Sequence, residues 1–307
     1  MFKMKYLITT VIAALFFISC GSNGAKTADQ GLKGKLIIFH AGSLTLPMKE
    51  LIDSFKVANP QLEIMPEAAG SIDCARKITE LKRDCDIMAS ADYKVIDKFL
   101  IPTYAADNYK FATNEMAIVY TPKSKRAGEI NKDNWYKILS DPKIFIGRAD
   151  PNADPCGYRS VLTLQLAEKF YGAENFDLKK LLQKDQKFIR PKEVDLLALL
   201  ETASVDYIFL YKSVAVQHNL NYLELPQEIN LSNPALNDYY STAEVEVRGK
   251  TPGETVVMHG EAMVYGITII KNAPNREAAE AFLKFVTESP VAKSIMTKMG
   301  QGYISAQ

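Results

Sequence analysis

The sequence predicts an α/β fold assembled from strand–helix–strand units with parallel strands. Two observations carry that prediction. An apolar strand, a small-residue break and a helical spacing occur in succession twice, and a third strand follows them. Residues 35–40 form a short apolar run ended by Ala41-Gly42-Ser43, after which Met48, Leu51, Ile52 and Phe55 recur at helical intervals over 47–57. Residues 62–65 read as the second strand, Ala68-Ala69-Gly70-Ser71 breaks it, and Ala75, Ile78 and Leu81 share one face of the next helix. Residues 86–90 are the third strand.

Later segments continue in kind. Residues 116–120, 144–146, 207–211 and 262–270 read as strands, the third of them very apolar. Pro191-Lys192-Glu193 opens a helix through Leu196, Leu197, Leu199 and Leu200. Residues 161–171 and 276–286 carry helical patterns, the latter after the Asn272-Ala273-Pro274-Asn275 turn. Residues 228–253 show no clear periodicity and many turn residues, so they read as an irregular insertion. Trp135 and Tyr136 read as core, and no solenoid-type repeat is present.

The chain begins with Lys3 and Lys5, then an apolar run over 6–18 that stops at Ser19-Cys20-Gly21. A basic start, a run too short to span a bilayer comfortably and a small residue before a cut define a secretory signal. Phe17-Ile18-Ser19-Cys20 resembles an imperfect lipobox, so residues 1–20 read as a lipoprotein signal peptide lipidated at Cys20. A plain signal peptide with an incidental cysteine is the alternative. Residues 21–33, polar and small over most of their length, read as a flexible tether.

With 47% hydrophobic residues and mixed charge, the remainder is one large or two medium folded domains. The formal net charge of +1 becomes −1 once Lys3 and Lys5 are removed, so no electrostatic footprint for nucleic acid exists. Cys74, Cys85 and Cys156 remain without metal-type spacing, and their odd number leaves at least one thiol unpaired.

The stretch richest in chemistry is Asp150-Pro151-Asn152-Ala153-Asp154-Pro155-Cys156-Gly157-Tyr158-Arg159-Ser160. It is a turn leading into a helix, and a helix start offers unpaired N–H groups and a positive dipole end to an anion. Asp154, itself an anion, sits in that turn as a cap or as something more. Ser43 and Ser71 occupy strand-to-helix positions, where a serine caps its own helix or joins a shared anion pocket. Neither glycine break is a phosphate-loop or dinucleotide motif. His40, His218 and His259 are scattered, with no metal-ligand spacing. Cys156 at a helix start has the position of a nucleophile, yet no histidine is placed locally to serve it. Arg159 suits either a ligand contact or a salt bridge at the surface or between lobes.

Five segments taken together resemble the tungstate/molybdate-binding proteins of ABC importers, and most closely their archaeal-type tungstate branch. They are Phe39-His40-Ala41-Gly42-Ser43-Leu44, Glu67-Ala68-Ala69-Gly70-Ser71, Ala89-Ser90-Ala91-Asp92-Tyr93, Asn152 to Ser160, and Tyr211-Lys212-Ser213-Val214-Ala215. The resemblance runs from about Lys35 to the end of the chain. It implies a two-lobed, type 2 periplasmic-binding-protein fold with a hinge and an inter-lobe ligand cleft. Residues 34–112 plus 263–307 would form one lobe and residues 113–262 the other.

The same resemblance implies Ser43 and Ser71 as donors from the first lobe. From the second it implies Asp154, Pro155, Cys156, Glu193 and Tyr211. Asp154 and Glu193 match two carboxylates that, in archaeal relatives, add to the oxo oxygens and complete a six-coordinate metal. The chain lacks most of an insertion found after Tyr171 in those relatives, so Glu193 is placed by the Arg190-Pro191-Lys192-Glu193 pattern. The function implied is a monomeric solute-binding lipoprotein of the cell envelope, facing the periplasm or exterior. It would capture tungstate or molybdate by lobe closure for an ABC permease and its ATPase, with no cofactor and no enzymatic step. A binder of sulfate or phosphate, a lipid-anchored cysteine or serine hydrolase, and a structural envelope protein are the alternatives.

Overall fold

The computed structural model describes residues 31–249, 251 and 253–305. The signal peptide over 1–20, the lipidation at Cys20 and most of the tether over 21–33 lie outside the described residues.

β1 (Gly34–Ala41) passes through a short 3-10 turn at Gly42–Leu44 into α1 (Thr45–Ala58), which turns Met48, Leu51, Ile52 and Phe55 inward. β2 (Leu62–Ala69) and α2 (Ser71–Thr79) repeat the unit, and β3 (Ile87–Ser90) and β4 (Tyr109–Thr113) follow. Only Asn114 and Glu115 separate β4 from β5 (Met116–Tyr120), which belongs to a different sheet. β6 (Ile146–Ala149), β7 (Ile189–Arg190), β8 (Tyr207–Tyr211) and β9 (Asn221–Glu224) stay in that second sheet. β10 (Glu244–Arg248) and β11 (Thr255–His259) form an antiparallel hairpin. The chain then returns to the first sheet as β12 (Val264–Ile269) and β13 (Gly302–Tyr303).

The first sheet has the order β13-β4-β12-β3-β1-β2 and the second β7-β6-β8-β5-β9. β1 pairs in parallel with both β2 and β3, while β12 runs antiparallel to β3 and β4. In the second sheet β6 is parallel to β7 and β8, and β5 is antiparallel to β8 and β9. Each sheet carries its own helices, so the fold is a two-lobed α/β architecture crossed by the chain at 114–115 and again at 260–263. The central strands are buried along their whole length in β3 and β8, as strands covered on both faces must be.

Local chemistry sets the element ends that matter for function. Asp154 caps the Pro155–Tyr171 helix, Pro155 occupies its first turn, and Gly172 ends it at a φ of +85°. Trp135 is fully buried and meets Tyr136, Tyr171, Phe176 and Phe209 edge-on, which fastens the second lobe's helices to β8.

Several expected boundaries move. β2 continues through Ala68 and Ala69, so the break falls only at Gly70. α2 ends at Thr79, which leaves Leu81 outside it and 66% exposed. The strand expected over 144–146 is Ile146–Ala149, because Ile144 closes a turn onto Asp141 and pairing with β8 starts at Ile146. Pro191-Lys192-Glu193 does not open a helix. β7 pairs with β6, the Asp150 amide holds the Arg190 carbonyl at 2.8 Å, and the extended chain needs a turn before helix Asp195–Glu201 begins. The supposedly irregular 228–253 stretch contains short helices and β10, whose Glu-Val-Glu-Val alternation has the period of a strand.

Trp135→Ala is expected to lower stability by about 3–5 kcal/mol in urea unfolding, as large aromatic truncations in cores do. A loss below about 1 kcal/mol would contradict the role given to this ring.

Candidate functional site

The two lobes meet around the Asp154 turn. Ala153, just before it, accepts hydrogen bonds from the Ile72 and Asp73 amides at 3.1 and 3.3 Å. The first amides of α2 therefore grip a carbonyl of the other lobe. Arg76, one turn further along, donates to the Asn152 carbonyl at 2.6 Å and to the Arg248 carbonyl at 2.8 Å. Gly70 makes this approach possible, since a Cβ there would lie 2.2 Å from the Ala153 oxygen.

Asp154 is 1% exposed. One of its carboxylate oxygens accepts the Cys156 amide at 2.7 Å, and the other faces the Glu193 amide at 3.4 Å. The capping role and the site role thus coincide in one side chain. The Asp150–Arg190 hydrogen bond and the β6–β7 pairing carry the 191–193 turn alongside this cap. Glu193 sits in that turn and is completely buried; among the described residues neither of its carboxylate oxygens accepts from an N–H or hydroxyl group, and its side-chain hydrogen bond is with the Asp154 carboxyl. Its Oε2 points at Gly42 of the first lobe, 2.8 Å from where a Cβ would stand. A side chain at 42 would push this carboxylate away.

Two acids in such surroundings are costly to ionise together. Burial first, and the Glu193 charge second, push the Asp154 carboxyl well above the usual carboxylate range. The buried Arg159 is committed elsewhere. Arg159 lies 3.3 Å from Asp92 and donates to the Ala91 carbonyl at 2.7 Å and to the Tyr211 hydroxyl at 3.2 Å. The Tyr158 hydroxyl donates to the same Asp92 at 2.6 Å. Arg159 and Tyr158 come from the second lobe and Asp92 from the first, so Arg159 forms an inter-lobe salt bridge.

The remaining predicted residues are buried as well. Ser71 is buried and its Oγ accepts the Ala91 amide at 3.0 Å, which leaves its proton free. Tyr211 ends β8, and burial keeps its phenol protonated well beyond its ordinary range. Ser43 is buried and lies 3.0 Å from the Tyr265 hydroxyl. Pro155 and Cys156 line the cap, but the Cys156 amide is taken by Asp154. Burial and the two acids push the Cys156 thiol up, and its Sγ faces the Phe209 carbonyl, a setting that opposes a nucleophile. Cys74, Cys85 and Cys156 are all free. His40 is buried, held neutral with a pKa near 4 by desolvation, and bonded to the Ala41 carbonyl.

Sequence reasoning gave no role to Asp92, Asn114 or Tyr265. Asp92 stood inside a recognised segment, and its place after β3 and before a helix was a visible capping signal. The site as built offers hydroxyl donors beside unpaired carboxylate acceptors. That combination suits a ligand with anionic oxygens around an electron-poor centre.

The two-lobed fold is that of solute-binding proteins, and comparison with known proteins agrees. The chain belongs to the bacterial extracellular solute-binding protein family, which it matches over residues 36–301. An uncharacterized solute-binding protein of Petrotoga mobilis is 46% identical, covering 92% of this chain and 88% of that protein. The molybdate/tungstate-binding protein WtpA of Pyrococcus abyssi is 42% identical, covering 95% of this chain and 91% of that protein. The structure of the Azotobacter vinelandii periplasmic molybdate-binding protein superposes with a TM-score of 0.61 over 89% of this chain and all of that one. At 15% identity this last likeness speaks for the fold.

The folded arrangement keeps a proton on Asp154 that the unfolded chain releases near the ordinary value of about 3.9. Stability therefore falls as pH rises from that value toward the raised one. Ligand-free Asp154→Asn escapes this loss. Its stability relative to the unsubstituted protein should improve between about pH 5 and about pH 7.5 in urea unfolding, whereas a flat difference would contradict a buried, proton-holding Asp154.

Proposed function

We propose that this chain captures tungstate or molybdate outside the cytoplasm and delivers it to an ABC permease and its ATPase. The single observation that carries the reading is the Glu193 carboxylate, fully buried beside Asp154 and, among the described residues, paired with no cation. A buried acid without a cation calls for an electron-poor partner, and a tetrahedral oxyanion of a large high-valent metal supplies one at its centre. Asp154 and Glu193 would each add a carboxylate oxygen to that centre. Ser43, Ser71 and Tyr211 would donate to the oxo oxygens, with Pro155 and Cys156 shaping the wall at the helix start.

Selectivity follows from the same geometry. Sulfur and phosphorus in sulfate and phosphate do not readily accept further oxygen ligands, so the two carboxylates would simply repel those anions. Tungsten and molybdenum are larger and accept hard carboxylate oxygens. The likeness to the molybdate/tungstate-binding protein of Pyrococcus abyssi supports this choice. The oxyanion is cargo, bound without chemical change, and no cofactor enters the account.

Ligand capture would draw the lobes together, because Ser43 and Ser71 come from one side of the cleft and Asp154, Glu193 and Tyr211 from the other. Residues 34–112 plus 263–307 would move as one lobe against 113–262, with the short crossing at Asn114 and Glu115 as part of the hinge. The protein would act as a monomer, held at the membrane by a lipid on Cys20 and a tether over 21–33. No helix among the described residues is long and apolar enough to cross a membrane.

Competitive titration calorimetry with tungstate, molybdate and sulfate tests the reading. Asp154→Asn and Glu193→Gln should each weaken tungstate and molybdate at least about tenfold, and leave sulfate binding unchanged or improved. Tight sulfate or phosphate binding with no heat from tungstate or molybdate would refute it.

A further inference from the structure

Asn114 lies in the short crossing between the lobes, and its side chain has only one permitted orientation. Its Oδ1 faces the Glu115 amide at 3.0 Å, and a backbone amide can only donate. Its Nδ2 therefore faces the Tyr265 hydroxyl at 2.9 Å and the Ser213 hydroxyl at 2.7 Å, and donates to both. With its oxygen accepting from Asn114, Tyr265 must spend its own proton elsewhere. Burial keeps that phenol protonated above its ordinary range, and the Ser43 oxygen stands 3.0 Å away. Were Ser43 the donor instead, the buried Tyr265 proton would have no acceptor.

We propose that Asn114 and Tyr265 are positioning residues for oxyanion capture. Asn114 fixes Tyr265 as a donor to Ser43, and Ser43, its oxygen occupied, turns its proton to the ligand. The relay runs from the hinge to the pocket, with Asn114 in the crossing, Tyr265 on β12 and Ser43 in the turn after β1. The same polarity is set at the other two hydroxyls, where the Ala91 amide donates to Ser71 and Arg159 donates to Tyr211. Each of these three hydroxyls then has one lone pair engaged by a donor and its proton available to the anion. A hydroxyl free to rotate would be a donor only part of the time, and a hydrogen bond to an anion strengthens when its donor is itself polarised.

The inference rests on the proposed function, since it assigns Ser43 to the oxyanion. Tyr265→Phe keeps the ring that packs against Phe111 and Tyr211 and removes only the hydroxyl. Tungstate titrations of the unsubstituted protein, Tyr265→Phe, Ser43→Ala and the double variant form a cycle that isolates the coupling. Tyr265→Phe should weaken tungstate about tenfold when Ser43 is present and less than about twofold when Ser43 is already alanine. A purely structural effect of the hydroxyl would weaken both backgrounds equally, and that result, or no weakening at all, overturns the relay. Failure of the unsubstituted protein to bind tungstate or molybdate would instead overturn the function beneath it. Ligand-free thermal unfolding of all four proteins shows whether each is folded. Should Tyr265→Phe fail to fold, Asn114→Ser, which also removes the amide donor, takes its place in the cycle with the same expectations.

Discussion

Two carboxylates buried side by side without a cation are the constraint around which the rest of this molecule is arranged. Asp154 accepts the Cys156 amide and approaches the Glu193 amide, and among the described residues no N–H or hydroxyl group donates to either Glu193 oxygen. An interior acid pair of this kind is unfavourable until something electron-poor sits beside it. The buried Arg159 guanidinium does not relieve it. Arg159 is held by Asp92, Ala91 and Tyr211, so its charge serves the contact between lobes and leaves the acids unpaired.

The surrounding architecture makes that arrangement possible. Gly42 and Gly70 stand where the lobes come closest, and each lacks a side chain that would collide with the opposite lobe. α2 spends its first amides on the Ala153 carbonyl, and Arg76 adds the Asn152 carbonyl, so the first lobe fixes the backbone that carries Asp154. The hairpin of β10 and β11 extends the same contact, through Arg76 to the Arg248 carbonyl and Lys98 to the Val257 carbonyl. Asp154 and Glu193 of the second lobe are thereby held against Gly42 and Gly70 of the first. Such division is what allows a solute to be enclosed and released by relative motion of two rigid parts.

How much of this could be read from the residues depended on how local each signal was. The Asp154 cap, the proline after it and the helix beyond it were legible, because capping and helical spacing act within one turn. β8 was legible at its observed bounds because five consecutive apolar or aromatic residues can be little else. Glu193 was named only through family resemblance, and its local setting was misread. A helix start was expected at 191–193, whereas strand pairing holds Ile189 and Arg190 and Glu193 falls in the turn that leads into the helix beginning at Asp195. Tyr265 read simply as a strand residue, and nothing near Asn114 in sequence announces Tyr265 or Ser213. Their meeting depends on how the sheets are ordered and where the chain crosses between lobes. The β10 alternation was present in the sequence, but five residues amid turn formers gave it little contrast.

The central claim is that the acids bind the metal of the oxyanion as well as tolerating its charge. X-ray absorption at the molybdenum edge of molybdate-loaded protein measures this directly, because it counts the oxygens around the metal. The account predicts an expanded shell of about six oxygens that contracts toward four in Asp154→Asn and in Glu193→Gln. A shell of about four oxygens in the unsubstituted protein, indistinguishable from free molybdate, would contradict it.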